Sequence, residues 1–168
     1  LICGPTQETL VHPLLKRIDV LSAKEMLKEV QSVWQSCDFG VFSAAVADFR
    51  PVNVSEFKMK KNDDLTSIQL QQNPDILKWA SFERKNNQKV IGFALETNNE
   101  EENALLKLEQ KNLDLIVLNS TQDKGATFGG EQNKVTIFGK TGKLVELELQ
   151  DKFDIAVRLM DIIENVNA

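Results

Sequence analysis

Lysines, one aspartate and a short run of alanines are the residues of this chain that could handle an anionic ligand. Ala44 and Ala45 leave the backbone bare, so a flat or bulky ligand can lie against it and bond to its N–H and C=O groups. Asp48 follows at once, and its carboxylate suits a hydroxyl group, a base edge or a hydrated Mg²⁺. The same pattern is explained without a ligand if the alanines serve tight helix–sheet packing and Asp48 forms a salt bridge with Arg50.

Two groups of lysines could bind phosphate. Lys58, Lys60 and Lys61 form a basic cluster in an otherwise acidic chain, inside a long loop, and lysines on a loop suit a lid that closes over phosphates. Lys107 and Lys111 are spaced i, i+4 on a predicted helix, so both can face one anion. A solvated charge run explains the first group equally, and ordinary helix-surface lysines explain the second.

The composition argues against several other chemistries. The single histidine, His12, leaves no Ser/His/Asp or Cys/His nucleophile system, and Cys3 and Cys37 form no C-x-x-C motif, so a protein-bound metal site is not expected. The two cysteines are typical of reduced core thiols in a cytoplasmic protein. The net charge of −5 argues against a nucleic-acid binder, and no apolar run reaches the roughly 18 residues of a membrane span.

Strands and helices alternate along the sequence. Such alternation predicts an α/β fold, a Rossmann-like three-layer sandwich whose mostly parallel sheet carries helices on both faces. A glycine turn between two late strands adds a C-terminal hairpin. The main predicted strands are 17–20, 39–45, 89–95, 113–119, 133–139 and 143–149. One predicted helix begins after Ser22, its N-cap, and three others cover 73–85, 99–112 and 151–166. In the helix 73–85, Asn73 is the predicted cap and Pro74 the first helical residue.

The predicted sheet places a binding crevice at the carboxyl ends of its strands. The strands 39–45, 89–95 and 113–119 each end in small or polar residues, and parallel strands bring these ends to one edge. The two longest irregular segments, 51–65 and 120–133, also follow strands. Loops of that length within a compact domain are more often functional than idle.

Six sequence blocks, in order and spread over the whole chain, resemble one family. The blocks are AAVADFRP at 44–51, KMKK at 58–61, NPDIL at 73–77, GFALET at 92–97, KNLDLIVLN at 111–119 and FGGEQNKV at 128–135. They are similar to phosphopantothenoylcysteine synthetase, the ligase of coenzyme A biosynthesis. In many bacteria that enzyme is the C-terminal half of a bifunctional flavoprotein.

The resemblance implies a reaction and its participants. The family joins 4′-phosphopantothenate to L-cysteine, and its bacterial members use CTP with Mg²⁺. The substrate carboxylate attacks the α-phosphate to give an acyl-cytidylate and pyrophosphate, and the cysteine amine then displaces CMP. FMN is expected only if a flavin decarboxylase domain is attached or present as a partner. The family is dimeric, and the segment 57–70 is the expected dimer arm.

The resemblance also implies roles for individual residues. Lys58 would close on the reacting phosphate and is the expected catalytic residue. Others would hold the base and ribose or the triphosphate oxygens. The implied nucleotide-binding residues are Ala44, Ala45, Asp48, Lys58, Pro74, Asp75, Ile76, Leu77, Phe93, Lys107 and Lys111.

The sequence departs from the family pattern at its beginning. The Gly-rich first strand turn and the Asn-containing block that follows it in the family have no counterpart, and the chain starts with LICGPTQ, without Met and within a predicted strand. We therefore expect residues 1–168 to be a single, N-terminally truncated CTP-binding synthetase domain. The alternative is a nucleotide-binding or dimerisation fragment without complete catalytic activity. An oxidoreductase is a weaker rival because no G-x-G-x-x-G follows a strand.

Overall fold

The computed structural model describes residues 1–55, 57–58, 67–96, 98–120 and 130–165. Contacts between Cα atoms divide the chain into two compact units. Unit 1 comprises Leu1–Ser32 and Ala44–Ile76, and unit 2 comprises Val33–Ser43 and Leu77–Ala168. The organisation of residues 1–168 as a single domain stays a prediction.

Strands and helices alternate through most of the described chain. In chain order they are strands β1 Ile2–Cys3 and β2 Ile18–Asp19, helix α1 Ala23–Val33, strands β3 Phe39–Phe42, β4 Phe49–Pro51 and β5 Leu70–Gln72, helix α2 Ile76–Phe82, strand β6 Lys89–Glu96, helix α3 Glu100–Gln110, strands β7 Leu115–Ser120, β8 Gln132–Gly139 and β9 Gly142–Asp151, and helix α4 Lys152–Asn165. Among these helices, none combines the length and the apolar composition that a membrane crossing requires.

Unit 2 contains a five-stranded sheet in the order β3-β6-β7-β8-β9. The pairs β3–β6 and β6–β7 are parallel, and β8 and β9 continue the sheet as antiparallel neighbours. The predicted α/β fold, with a parallel sheet core flanked by helices and a C-terminal hairpin, is confirmed. The parallel part spans β3, β6 and β7, so the carboxyl ends of these three strands lie on one edge.

The core of unit 2 lies between the sheet and α4. Parallel strands that are covered on both faces read as continuous apolar runs, and β7 shows this pattern in Leu115–Ser120, where the first four side chains are all buried. Helix α4 contributes residues at helical spacing, which gives it one buried stripe. The cluster consists of Ile91, Leu115, Val117, Val135, Ile137, Ile155, Leu159 and Ile163.

Helix α1 begins with the capping box that the sequence predicts. The backbone N–H of Glu25 donates to Ser22 Oγ at 3.2 Å, and the Glu25 carboxylate accepts from the backbone N–H of Leu21 at 2.7 Å. This bond from Leu21 is the main cause that lowers the pKa of Glu25 below its ordinary value. The carboxylate thus reaches one residue further back than the cap residue itself.

The remaining strands of unit 1 form two small sheets. Strands β1 and β2 are parallel, and strands β4 and β5 are antiparallel, with Phe49 opposite Gln72. Strand β2 confirms the predicted strand at 17–20, although it is shorter. The two cysteines are free and half-buried, in agreement with the prediction of reduced thiols.

Two further predicted elements differ from the sequence prediction in where they begin or end. The strand predicted over 39–45 ends at Phe42, and the chain turns shortly afterwards, where the N–H of Val46 donates to Ala44 O at 3.0 Å. The helix predicted over 73–85 covers only Ile76–Phe82. Asn73 and Pro74 therefore precede the helix, and the prediction of Asn73 as cap and Pro74 as first helical residue is wrong.

Candidate functional site

The carboxyl edge of the parallel strands in unit 2 carries polar side chains. Glu96 ends β6, and Asn119 lies near the end of the neighbouring β7. Asn133, at the start of β8, donates from Nδ2 to Asn119 Oδ1 at 3.1 Å, and its own Oδ1 accepts from the N–H of Lys134 at 3.0 Å. This edge is where ligands bind in open parallel sheets.

Lys107 reaches this edge from the last turn of α3 and forms an ion pair with Glu96. Its ammonium group contacts Glu96 Oε1 directly. The Glu96 side chain is 15% exposed and that of Lys107 is 45% exposed, so the carboxylate is the more buried partner. Lys111 caps the same helix, with its N–H bonded to Lys107 O at 3.0 Å. The two predicted phosphate lysines thus lie one helical turn apart, but of the two only Lys107 is shown in contact with the carboxyl edge in the part of the chain that the structure describes.

Leu77 and Phe93 lie against opposite faces of β6. A Cβ added to Gly92 would be 2.9 Å from Leu77 Cδ2, so Leu77 covers the face to which Gly92 points. Phe93, the next residue, packs on the core cluster of the other face. The structure does not bring these two predicted base-binding residues to one face, and their role stays a prediction.

In unit 1, Asn73, which lies just before α2, forms hydrogen bonds to the segment 44–48 that contains Ala44 and Ala45. Its Nδ2 donates to Ala47 O at 2.8 Å, and its backbone N–H donates to Asp48 O at 2.8 Å. Arg50 holds the same amide, because its guanidinium donates to Asn73 Oδ1 at 2.8 Å and to Gln72 O at 2.6 Å. Asp48 is therefore adjacent to the NPDIL block, as the prediction of a shared site requires.

The alternatives without a ligand find little support in unit 1. Ala44 and Ala45 are exposed, so close packing does not explain their small side chains. Arg50 bonds to Asn73 and Gln72, and no ion pair between Arg50 and Asp48 occurs in the described ranges. Of the remaining predicted residues in unit 1, Asp75 is exposed, Pro74 half-buried and Ile76 buried.

The lysine loop is described only in part. Lys58 is exposed, whereas Lys60, Lys61 and most of the predicted dimer arm 57–70 lie outside the described residues. The same holds for most of the predicted loop 120–133. The role of Lys58 as the residue that closes on phosphate stays a prediction.

The described residues do not form a metal cage. No three His, Cys, Asp or Glu side chains in the described ranges come together in a way that could hold a metal ion. Mg²⁺ typically binds proteins through one or two carboxylates together with substrate phosphates. An exposed carboxylate such as that of Asp48 fits this limited role.

A cavity of about 580 Å³ lies at the opposite end of the parallel strands. Asp114 lies in its wall and accepts from Arg84, from Lys140 at 2.9 Å and from the N–H of Val90 at 2.7 Å. None of the predicted site residues lines this cavity. We place the candidate site of unit 2 at the carboxyl edge instead, because Glu96, Asn119 and Asn133 lie there and because ligands of such sheets bind there.

Sequence reasoning missed Glu96, Asn73 and Arg50 as parts of the candidate site. The GFALET block marks Glu96 as a residue at a strand end, but nothing in its spacing shows that this Glu pairs with a lysine on the next helix. The sequence predicts Asn73 as a helix cap, since an Asn before Pro is common at helix starts. It indicates Arg50 only as a partner of Asp48.

Comparisons with known proteins identify the family of the chain. The family model described as the DNA/pantothenate metabolism flavoprotein C-terminal domain matches residues 1–166. A cysteine/cysteine sulfinic acid decarboxylase of an unknown prokaryotic organism is 40% identical over 166 residues, which are 99% of this chain and 45% of that protein. The coenzyme A biosynthesis bifunctional protein CoaBC of Bacillus subtilis (strain 168) is 42% identical over 160 residues, with 95% and 39% covered.

A solved structure agrees with these relatives. The crystal structure of the C-terminal domain of CoaBC matches with a TM-score of 0.76 and 36% identity, and the match covers 97% of this chain and 71% of that one. The chain spans less than half the length of each of these two curated relatives. The match nevertheless extends over nearly all of this chain, which therefore belongs to the family of the DNA/pantothenate metabolism flavoprotein C-terminal domain.

Proposed function

We propose that this chain supplies the CTP-binding part of a ligase that joins 4′-phosphopantothenate to L-cysteine in coenzyme A biosynthesis. The observation that carries the proposal is the match, over nearly the whole chain, to CoaBC proteins and to the CoaBC C-terminal domain. The polar side chains at the carboxyl edge of unit 2, and in unit 1 the exposed Asp48 beside the NPDIL block, are of types that suit nucleotide binding. Because the chain spans only part of its relatives, the activity of the whole protein remains part of the proposal.

The proposed reaction has two steps. An oxygen of the phosphopantothenate carboxylate forms a bond to the α-phosphorus of CTP, and pyrophosphate leaves. The cysteine nitrogen then attacks the acyl carbon, CMP leaves with the carboxylate oxygen attached to its phosphorus, and the nitrogen loses a proton. Both steps need charge stabilisation more than a protein nucleophile, so lysines suffice and a histidine triad is not needed.

The proposal assigns nucleotide contacts within each unit. In unit 1, the bare backbone at Ala44 and Ala45 would contact the nucleotide, Asp48 would accept from its hydroxyl groups, and Lys58 would approach the reacting phosphate. Pro74, Asp75 and Ile76, also of unit 1, would contact the base and ribose. Leu77 and Phe93, which belong to unit 2, are assigned the same kind of contact. In unit 2, Lys107 and Lys111 would bind triphosphate oxygens from the end of α3.

Mg²⁺ would enter with the triphosphate. When bound, it neutralises phosphate charge and so favours the departure of pyrophosphate. The protein residue that fits a limited contact to it is Asp48. FMN would belong to an attached or partner decarboxylase domain, and we assign no residue of this chain to it.

We also propose that the protein forms a homodimer through the strands β4 and β5 and the residues beside them. Several large apolar side chains there are exposed, which is typical of a surface that another chain covers. They are Phe49, Val52, Val54, Phe57, Ile68 and Leu70.

Calorimetric titration of CTP into the chain in the presence of Mg²⁺ tests the proposal. We expect saturable CTP binding that weakens about tenfold or more in Lys58→Ala, since one charged contact to phosphate is lost. Lys28→Ala, an exposed lysine of α1, is the matched control and should bind as the wild type does. ATP serves as the comparison nucleotide, and sedimentation of the same samples reports whether they are dimers.

The outcomes separate the ligase from the alternative. Pyrophosphate release that requires both 4′-phosphopantothenate and CTP supports the ligase. CTP binding without pyrophosphate release under those conditions would leave a nucleotide-binding fragment. A folded chain that binds no CTP would contradict the proposal.

A further inference from the structure

The ion pair between Glu96 and Lys107 places a carboxylate where the proposed function needs a phosphate. Glu96 is the last residue of β6, at the edge where parallel sheets bind ligands, and its side chain is largely buried. Lys107 contacts Glu96 Oε1, although its own side chain keeps 45% of its surface exposed. The Lys107 side chain is therefore held by the protein and remains partly exposed to solvent at the same time.

This arrangement fixes the position of a long, flexible side chain. A lysine has four rotatable bonds, and an exposed lysine without a partner samples many rotamers. The contact with Glu96 selects the rotamers that keep the ammonium group at the end of β6. Lys111 lies one helical turn later, where α3 leads into the amino end of β7, so the contact at the end of β6 is made by Lys107.

The pairing also weakens the attraction of Lys107 for another anion. An ion pair that is only partly buried contributes little, so a ligand of higher charge density can replace the carboxylate. A triphosphate carries several negative charges and three or more acceptor oxygens, which favours it over a single carboxylate. After the exchange, Glu96 remains beside the phosphate and repels it.

We propose that Glu96 is a positioning residue that holds Lys107 at the strand edge and gives it up to the phosphates of the bound nucleotide. The inference rests on the proposed function, because it assumes that Lys107 binds phosphate. It assigns to Glu96 two effects that act through Lys107: the lysine is kept in place, and the affinity for phosphate is kept moderate.

The test is Glu96→Gln, which retains an oxygen that accepts from Lys107 and removes the charge. We expect CTP and inorganic tripolyphosphate to bind this variant about two- to fivefold more tightly, the range expected for loss of one partly exposed competing charge. In a Lys107→Met background the same substitution should change the affinity by less than about 1.5-fold. Glu146→Gln is the matched control, since Glu146 pairs with Lys143 at 2.6 Å on the exposed C-terminal hairpin.

Two kinds of failure can be told apart. Unchanged or weaker binding by Glu96→Gln, or an equal gain in the Lys107→Met background, would overturn the role of Glu96 even if the wild type binds CTP. If CTP does not bind but tripolyphosphate shows the expected pattern, the positioning role stands and the proposed nucleotide substrate fails. A steady-state assay adds a readout that a purely structural residue would not move: KM for CTP should fall in Glu96→Gln, and kcat should fall with it because phosphate products leave more slowly.

Discussion

Replacing Gly92 by alanine should destabilise unit 2 and disturb the NPDIL block. A Cβ at this position would lie 2.9 Å from Leu113 Cδ1 and 2.9 Å from Leu77 Cδ2. Carbon atoms pack best at about 3.5–4.0 Å, so both leucine side chains would have to retreat by roughly 0.6 Å or more. Overpacking of this kind costs about 1–3 kcal/mol in unfolding free energy.

Urea denaturation followed by circular dichroism measures this loss. A destabilisation of 2 kcal/mol shifts the midpoint by about 1 M if the slope is about 2 kcal/mol per M. Gly4→Ala is the matched control, because its Cβ would meet only Met26 Cε at 3.9 Å, an ordinary contact. That variant should unfold as the wild type does.

The same substitution tests the link from packing to binding. Leu77 belongs to the residues proposed to hold the base and ribose, so Gly92→Ala should weaken CTP binding as well as stability. If Gly92→Ala unfolds within about 0.5 kcal/mol of the wild type, the side chains over Gly92 are free to move aside, and the reasoning from close contact is refuted.

Two further predictions concern charged groups outside the candidate site. Asp114→Ala should lower the unfolding free energy by about 3 kcal/mol, because it leaves the largely buried side chain of Arg84 without its carboxylate partner. Lys140→Ala should lower it by less than about 1 kcal/mol, because the Lys140 side chain is exposed. Equal losses of the two variants in urea denaturation would contradict this. The pKa of Glu25 is lowered, chiefly by the bond from the N–H of Leu21. The Glu25 carboxylate therefore stabilises the fold at pH values above its pKa in the unfolded chain, and this stabilisation is lost as the pH falls through its pKa in the folded chain. The melting temperatures of the wild type and Glu25→Gln should therefore differ at pH 7 and approach each other as the pH falls below the ordinary pKa of a glutamate. An unchanged difference would speak against the capping bond as the cause.

The elements that the sequence predicted well are those with a local cause. The capping box at Ser22 and Glu25 depends on residues three apart, and the glycine turn between β8 and β9 depends on its own conformation, since Gly142 has φ = +109°. The apolar runs of β6 and β7 mark strands covered on both faces. Each of these signals is complete within a few residues, so no tertiary contact was needed to read it.

The sequence predictions are wrong where contacts between residues far apart in the chain determine the ends of an element. Helix α2 starts late because the Asn73 amide is engaged by Ala47 and Arg50, more than twenty residues earlier in the chain. It ends at Phe82, and shortly beyond it Arg84 turns to Asp114. Propensity favoured a longer helix, and tertiary hydrogen bonds outweighed it.

The candidate site, too, could be predicted where the signal is local and could not be predicted where it depends on tertiary contacts. The family blocks identified which residue types gather at the strand ends, and the parallel strands confirm that these ends share an edge. The partner of Lys107 was not predictable, because Glu96 lies on a different element and because a lysine at a helix end has many possible partners. Spacing along a helix indicates which residues share a face of the helix, but it does not indicate which residues of other elements that face contacts.

The register of the unit 2 sheet has a consequence for how its strands come together. Gly139 and Gly142 are partners across the tight turn between β8 and β9, so this hairpin closes almost no loop. Phe39 pairs with Lys89, and the chain between them includes the whole segment Ala44–Ile76 that belongs to unit 1. The entropy of closing so long a loop must be offset before the parallel contacts of β3 form. The hairpin can therefore act as a local nucleus, whereas we expect the strand that leads into the AAVADFRP block to join the sheet later, through long-range contacts.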